Sequence, residues 1–417
     1  MYKSVSTIYL IVIALFTSCS SIKQTILLKQ EQIQTSKQKF DQNELKTIKL
    51  DSTNPQMHEL FDNQSENITP LRETSLSLID TISTTCKTTE TSVDDLAKQL
   101  GGIVIPNDKN LSVDDLSKFM NTIRDGWKNL RQFVINPLHS WRKKNLRQFD
   151  HVQRVFYPFG GPDATYVTQL FPHANEYILV GLEVVGSKES SESLISSNGL
   201  DFLSKNMEHF LKKGYFVTSY MTSLSAQRKG VTPLILAQLS NLGYEIISIQ
   251  NGSISSEGES KDDFSGVIPF NCITFKLPNT TQEKRLVYLR CKLNDKNQEI
   301  LDVLLKYVSS ETFITFIKSA SYILHDKVQF SLIRSYIMDE SIAILQDDTG
   351  IPYNLLKDSF DIQLFGIYEK PTLAVFTAYK QPALADAYTK TQTDKLPFRF
   401  GYGSLILPSN LLLATRR

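Results

Sequence analysis

After Asp150, short apolar runs alternate with stretches in which apolar residues lie three and four positions apart. The runs predict buried strands, and the spaced positions predict helices that bury one face. In chain order the pattern predicts a strand at 154–159, a helix at 164–170, a strand at 176–182, helices at 200–213 and 232–243, and a strand at 244–249. This β-α-β order predicts one α/β domain over residues 151–417, with a mixed sheet and flanking helices.

The second half of this domain has a less regular pattern. Residues 251–264 are polar and contain Gly, Ser and Asp, which predicts a loop. The pattern then predicts strands at 267–277 and 285–293, helices at 298–308, 311–325 and 330–340, and short strands from Ile342 onward that end with 411–414.

The first residues have the pattern of a secretory signal peptide. Lys3 precedes an unbroken apolar run from Ile8 to Phe16, which is too short to span a bilayer. The segment Leu15–Cys19 (LFTSC) resembles a bacterial lipobox, whose cysteine becomes the lipidated first residue. We therefore expect a signal peptide at 1–18 and palmitate and related acyl chains on Cys19. We also expect export through the periplasm to the outer membrane, because Ser20, the residue after the lipidated cysteine, is not acidic. Plain secretion with a free cysteine is the alternative.

Residues 19–91 and 92–150 differ sharply in composition. Residues 19–91 are rich in Ser, Thr, Asn and Gln, lack glycine and contain few aromatic residues, which predicts a disordered, flexible tether. Ser92-Val-Asp-Asp and Ser112-Val-Asp-Asp are typical helix starts, with a capping serine and acids in the first turn. We therefore expect a helical collar at 92–150, in which Trp127 and Trp141 pack against the α/β domain.

Charge and composition exclude some classes of protein. Lys plus Arg number 45 and Asp plus Glu number 44, so the net charge is +1. A nucleic-acid binder of this size usually has a clear basic surplus, so we expect no nucleic-acid partner. We expect contact with the membrane only through the N-terminal lipid, because the chain lacks the long apolar runs of a multi-span protein.

The first polar block is YPFGGPD, at residues 157–163, between a predicted strand and helix. Gly160 and Gly161 allow close backbone approach, and free N–H groups at such a turn can hold an anion. Asp163 is interpreted as a helix cap or as a catalytic carboxylate. A nucleotide site with Glu183 as ribose ligand is disfavoured because the two glycines are adjacent.

The second block is KSASY, at residues 318–322, inside the predicted helix 311–325. On a helix, Lys318, Ser321 and Tyr322 would share one face, where the lysine would favour ionised forms of its neighbours. A solvated polar face is the alternative interpretation.

The third block is QDDTGIP, at residues 346–352, directly after a buried strand. Carboxylates at the end of a strand are common in the sites of α/β folds, which makes Asp347 and Asp348 candidates. An acidic turn and a hard-cation site are alternatives, and the lack of a second Asp-Thr/Ser-Gly excludes an aspartic protease. The six histidines and the cysteines lack metal-ligand spacing, so we expect neither a metal nor a cofactor.

Cys272 and Cys291 lie on consecutive predicted strands. A simple hairpin would place them opposite each other, and export would permit a disulfide. Cross-strand disulfides are strained, so two buried free thiols are favoured over the disulfide.

The blocks YPFGGPD, KSASY and QDDTGIP behind a lipobox resemble those of a group of exported bacterial lipoproteins. The resemblance implies that the three blocks belong to one domain, and it implies no catalytic role. From the residues themselves we predict a shared site in which Asp348 is the candidate base, Lys318 its electrostatic partner, and Tyr322 or Ser321 a proton donor. The remaining site residues are Asp163, Asp347, Gly160, Gly161, Thr349 and Gly350.

The predicted function is that of an envelope lipoprotein whose α/β domain binds or processes a small or cell-wall-derived ligand. The alternative is a non-enzymatic scaffold for protein–protein contacts in the envelope. The sequence is compatible with an enzyme and with a binding protein.

Overall fold

The structure is a computed structural model that describes residues 92–105, 113–195, 197–218, 220–221, 230–404 and 407–417. The predicted signal peptide, Cys19 and the predicted tether lie outside the described residues, as does Ser112.

The described residues form a ten-stranded mixed sheet. Its strands are β1 Arg154–Tyr157, β2 Glu176–Gly181, β3 Glu245–Ile254, β4 Ser260–Lys261, β5 Ile268–Lys276, β6 Glu283–Arg290, β7 Phe313–Ile317, β8 Ala343–Gln346, β9 Phe360–Gly366 and β10 Asn410–Arg416. The spatial order is β4-β3-β5-β6-β2-β1-β7-β8-β10-β9. The five central strands, from β6 to β8, are parallel, and the outer strands on both sides are antiparallel.

Helices cover both faces of the sheet. They are α1 Val93–Leu100, α2 Val113–Leu130, α3 Asn136–Asn145, α4 Ala164–Leu170, α5 Lys188–Glu192, α6 Ser197–Lys213, α7 Thr232–Asn241, α8 Gln298–Val308, α9 Ser331–Glu340, α10 Tyr353–Leu356 and α11 Pro382–Thr391. A π-helical turn, Arg131–Ile135, joins α2 to α3. The predicted fold, an α/β domain with a mixed sheet and flanking helices, is confirmed.

Side chains of the central strands alternate between two apolar cores, as strand geometry requires. Val155 and Tyr157 of β1 join a core with helices α1, α2, α6 and α7, whereas Phe156 joins a second core with α8, α9 and α11. The helical collar covers the first face, because its Trp141 packs edge-on against Phe365 and Phe398. The central parallel strands β1, β2, β7 and β8 are therefore buried on both faces, and most of their residues are apolar.

One predicted helix is wrong. Residues 311–325 contain strand β7, followed by a loop, where the spacing of apolar residues predicted a helix. The five residues FITFI are all buried because β7 lies between β1 and β8, so the apolar run belongs to a strand covered on both faces. An apolar run of this length fits both a buried helix and a buried strand.

Two other expectations need correction. The predicted loop at 251–264 begins later, because β3 continues to Ile254 and pairs there with the short β4. The region after Ile342, for which only strands were predicted, also contains helices α10 and α11.

Cys272 and Cys291 are both buried free thiols. Cys272 lies opposite Val287 on β6, and Cys291 lies beyond the end of that strand. The hairpin turn spans 277–282, which is earlier than the segment 278–284 between the two predicted strands, and this shift moves the two cysteines out of register. The structure therefore has two free thiols, the favoured alternative, and lacks the possible disulfide between Cys272 and Cys291.

None of the helices within the described ranges combines the length and the apolar character that a membrane-spanning helix needs.

Candidate functional site

The three polar blocks follow three strands that are neighbours in the sheet. Block 157–163 begins in β1 and continues beyond it, 318–322 follows β7, and 346–352 begins at the end of β8. These strands are parallel and adjacent, so their carboxyl ends lie at one edge of the sheet. The chain leaves β1 for β2 on one side and later returns to β7 on the other side. Such a reversal of strand order is where open α/β sheets bind ligands.

A buried ion pair joins the first two blocks. Lys318, whose surface is 2% exposed, places Nζ 2.9 Å from Oδ2 of Asp163. The same ammonium donates to the carbonyl of Gly214 at 2.5 Å and lies 4.2 Å from the ring centroid of Tyr166. Asp163 also caps α4 by accepting from the N–H of Tyr166, and its other oxygen accepts from the hydroxyl of Tyr157. Both charges are therefore fully paired inside the protein.

The loop after β7 has an unusual backbone. Ser319, Ser321 and Tyr322 have φ angles of 55°, 50° and 59°. These values fall in the left-handed region, where residues other than glycine, asparagine and aspartate are rare. The predicted helix face of Lys318, Ser321 and Tyr322 is therefore wrong, and the loop directs these side chains differently. Lys318 and Tyr322 are buried, while Ser321 is exposed.

Asp347 holds this loop in place. Its carboxylate accepts from the N–H of Ser319 at 2.9 Å, from the N–H of Thr349 at 3.0 Å, and from the Thr349 hydroxyl. The Thr349 hydroxyl in turn accepts from the N–H of Ala320 at 2.7 Å. Burial raises the pKa of Asp347, against the lowering effect of these hydrogen bonds and of Lys318. The second and third blocks are thus joined directly.

Asp348 is also buried, with 6% of its surface exposed. Oδ2 accepts from the hydroxyl of Tyr322, and Oδ1 accepts from Nδ2 of Asn410 at 2.7 Å. Burial and the neighbouring Asp347 raise the pKa of Asp348 to about 7. Burial and the Asp348 carboxylate raise the pKa of Tyr322 well above its ordinary value. Asp348 can therefore take up a proton near neutral pH while Tyr322 stays protonated.

The glycines serve packing in this structure. Gly161, Asp163 and Ala164 each donate their N–H to a backbone carbonyl, so the predicted anion-holding turn is wrong for these three groups. A Cβ at Gly160 would collide with the ring of Tyr157, and a Cβ at Gly350 would collide with Gln346. Glycine is needed at both positions because side chains lie directly against the backbone.

The sequence analysis missed several residues of this site. Asn410 makes two hydrogen bonds with Asp348. Its Nδ2 donates to the Asp348 carboxylate, and its Oδ1 accepts from the backbone N–H of Asp348. Gln381 donates to the Asp348 carbonyl at 2.9 Å, and Tyr402 donates to the Ser319 carbonyl at 3.0 Å. Asn410 begins β10, Gln381 precedes α11, and Tyr402 lies in the loop before β10. All three are distant in sequence from the blocks that they contact, and no local motif marks them.

The site has little free space among the described residues. The gap bordered by Asp347, Asp348, Tyr353 and Asn410 has no room for a water molecule. Within the described ranges, no three His, Cys, Asp or Glu side chains lie together as metal ligands would. Glu183, the residue considered as a ribose ligand, is buried and accepts from the Tyr288 hydroxyl at 3.2 Å.

Comparison of the chain with protein-family models, with curated proteins and with solved structures gives no match. The functional argument therefore rests on the geometry of the site.

Proposed function

We propose that this chain is an envelope lipoprotein whose α/β domain binds a small or cell-wall-derived ligand at the carboxyl edge of its parallel strands. The observation that carries the proposal is the strained loop Ser319–Tyr322, which lies where the strand order reverses. Each of the three non-glycine residues with a left-handed backbone costs about 1–3 kcal/mol in folding free energy, and such strain concentrates at binding and catalytic sites.

An unpaired polar atom on the same segment supports the proposal. Oγ of Ser319 is buried without a hydrogen-bond partner. An unsatisfied buried polar group costs about 1–3 kcal/mol. A segment selected for stability alone would avoid both the left-handed backbone and this unpaired hydroxyl.

The proposed roles in the site follow from exposure and pKa. Ser321 is exposed and would contact the ligand directly. Asp348, which is bonded to the hydroxyl of Tyr322, would act as the base if the ligand is processed, because its pKa lies near neutrality. Lys318 would act as a positioning residue, since it is saturated by Asp163 and Gly214.

The alternative function is a scaffold for envelope proteins. It is favoured by the lack of space for water beside Asp347 and Asp348 in the described part of the chain. On this interpretation the polar network only fixes the loops of a docking surface.

Titration of the full-length chain with peptidoglycan fragments from a muramidase digest separates the two functions. We expect saturable heat in calorimetry, and we expect Ser321→Ala to weaken it. Ser265→Ala, at an exposed serine in the segment before β5, is the matched control. Absence of binding by the unaltered chain, together with capture of an envelope protein that Ser321→Ala abolishes, would establish the scaffold instead.

We also propose that Cys19 carries lipid that holds the protein at the outer membrane. Buried acyl chains contribute about 0.8 kcal/mol per methylene, and more than one chain gives stable attachment. Cys19→Ser should move the protein to the soluble fraction and abolish labelling by radioactive palmitate. Membrane attachment that survives this substitution refutes the proposed anchor.

A further inference from the structure

A row of five aromatic side chains borders the strained loop. It runs from Tyr379 through Tyr322, Phe376 and Tyr402 to Tyr215, and we call these five residues the aromatic row. Tyr379 stacks on Tyr322 with ring centroids 5.0 Å apart and planes at 10°. Phe376 lies 5.0 Å from Tyr322 and 5.4 Å from Tyr402, and Tyr402 lies 4.9 Å from Tyr215. The rings support one another and hold the end of the row rigidly.

The row reaches solvent at Tyr379. One face of this ring is covered by Tyr322, His325 meets it edge-on at 5.7 Å, and 41% of the residue is exposed. Ser321, which precedes Tyr322 in the strained loop, is exposed and has its hydroxyl 2.8 Å from that of Tyr402. The surface therefore offers a fixed apolar ring beside hydroxyl groups.

The charged groups of the polar network beneath this surface are buried and paired. Lys318 and Asp163 pair with each other in the interior, and Asp348 is covered by Tyr322 and Asn410. Burial lowers the pKa of His325 to about 4, so its imidazole is neutral above that pH. A ligand that lies on Tyr379 and Ser321 therefore meets an aromatic face and a hydroxyl, which suits a polar molecule that has an apolar C–H face.

Sugar rings have the matching chemistry. A pyranose has one face of C–H groups, which packs on an aromatic face, and a rim of hydroxyls, which exchange hydrogen bonds with serine and tyrosine. We infer that the aromatic row, with Ser321, binds a neutral glycan, whose sugar ring stacks on Tyr379 while its hydroxyls contact Ser321 and Tyr402. This inference rests on the ligand site proposed above and names the class of its ligand.

Calorimetry on the full-length chain tests the inference with two separate probes. One probe is the tetramer of N-acetylglucosamine, a neutral glycan, and the other is a peptidoglycan stem peptide without sugar. We expect the glycan to bind, Tyr379→Ala to weaken it about tenfold or more through loss of the ring face, and Tyr379→Phe to retain the affinity within about twofold. Phe264→Ala, at an aromatic residue that is 65% exposed outside the site, is the matched control and should bind as the unaltered chain does.

The outcomes separate this inference from the proposed function. Binding of the stem peptide without binding of the glycan overturns the glycan inference and leaves the proposed ligand site standing. Binding of the glycan with equal affinity to Tyr379→Ala also overturns the inference, because the sugar then lies elsewhere. If the glycan, the stem peptide and the muramidase digest all fail to bind, both proposals fall.

Discussion

Replacement of Asp348 by asparagine removes an ionisable group from the centre of the site while keeping its shape. In Asp348→Asn the side-chain oxygen can still accept from Asn410, and the new amide can donate to the Tyr322 hydroxyl. The substitution therefore isolates the free energy of charging a carboxylate that is buried beside Asp347.

The magnitude follows from the pKa of Asp348, which burial raises from 3.8 to about 7. A raised pKa means that the folded chain retains a proton that the unfolded chain has already lost. The contribution of Asp348 to stability is therefore greatest below about pH 4, and it falls as the pH rises toward about 7, where the buried carboxyl ionises. A pKa shift of about three units corresponds to a loss of about 4 kcal/mol of stability once Asp348 is ionised. This value is an upper bound for Asp348 alone, because Asp347 and Asp348 titrate together and share the effect.

Urea unfolding at several pH values between 5 and 8 measures this effect, with the fluorescence of the buried Trp127 and Trp141 as the signal. We expect Asp348→Asn to gain stability over the unaltered chain as the pH rises, and to show a much flatter pH profile. Asp358→Asn, at a side chain that is 78% exposed, is the control and should leave the profile unchanged. The reasoning is refuted if Asp348→Asn loses several kcal/mol at every pH, because the ionised carboxylate would then be a structural requirement.

Two further predictions concern buried groups. Lys318→Met leaves the Asp163 carboxylate without its charged partner, and it should lower the free energy of unfolding in urea by about 3–5 kcal/mol. The double variant with Asp163→Asn should recover part of that loss. A loss below about 1 kcal/mol in Lys318→Met would show that the ion pair is not needed for stability. A Cys19→Ser chain keeps three of the four cysteines. Thiol counting after denaturation without reductant should find three free thiols, because Cys272 and Cys291 are not bonded to each other. A count of one free thiol would contradict the structure.

The sequence predicted the α/β fold and the order of most elements because buried parallel strands and amphipathic helices have distinct apolar patterns. Helices 164–170 and 298–308 have the predicted bounds. The pattern failed at β7, where FITFI fits both a strand and a helix turn. It also failed in the hairpin of β5 and β6, because the position of the turn sets the register and a shift of two residues separates Cys272 from Cys291.

The candidate site was predictable in part for the same reason. Polar residues directly after apolar strands indicate the carboxyl edge of a sheet, and this rule indicated Asp347 and Asp348. Lys318 was predicted on a helix, and it lies at the same edge because its segment follows strand β7. The left-handed backbone of Ser319–Tyr322 was not predictable, because no glycine or asparagine marks it. Asn410 was not predictable either, since its contact with Asp348 depends on how β10 pairs with β8.

Strand β10 lies between β8 and β9, so it is an interior strand of the sheet. A chain trimmed at residue 409 would lose Asn410 and would leave β8 and β9 without the neighbour that they share. Two open strand edges would then face solvent, and such edges pair with other chains. The residues from Asn410 to Arg416 are therefore indispensable, and proteolytic clipping in this segment should convert the protein into an aggregating species.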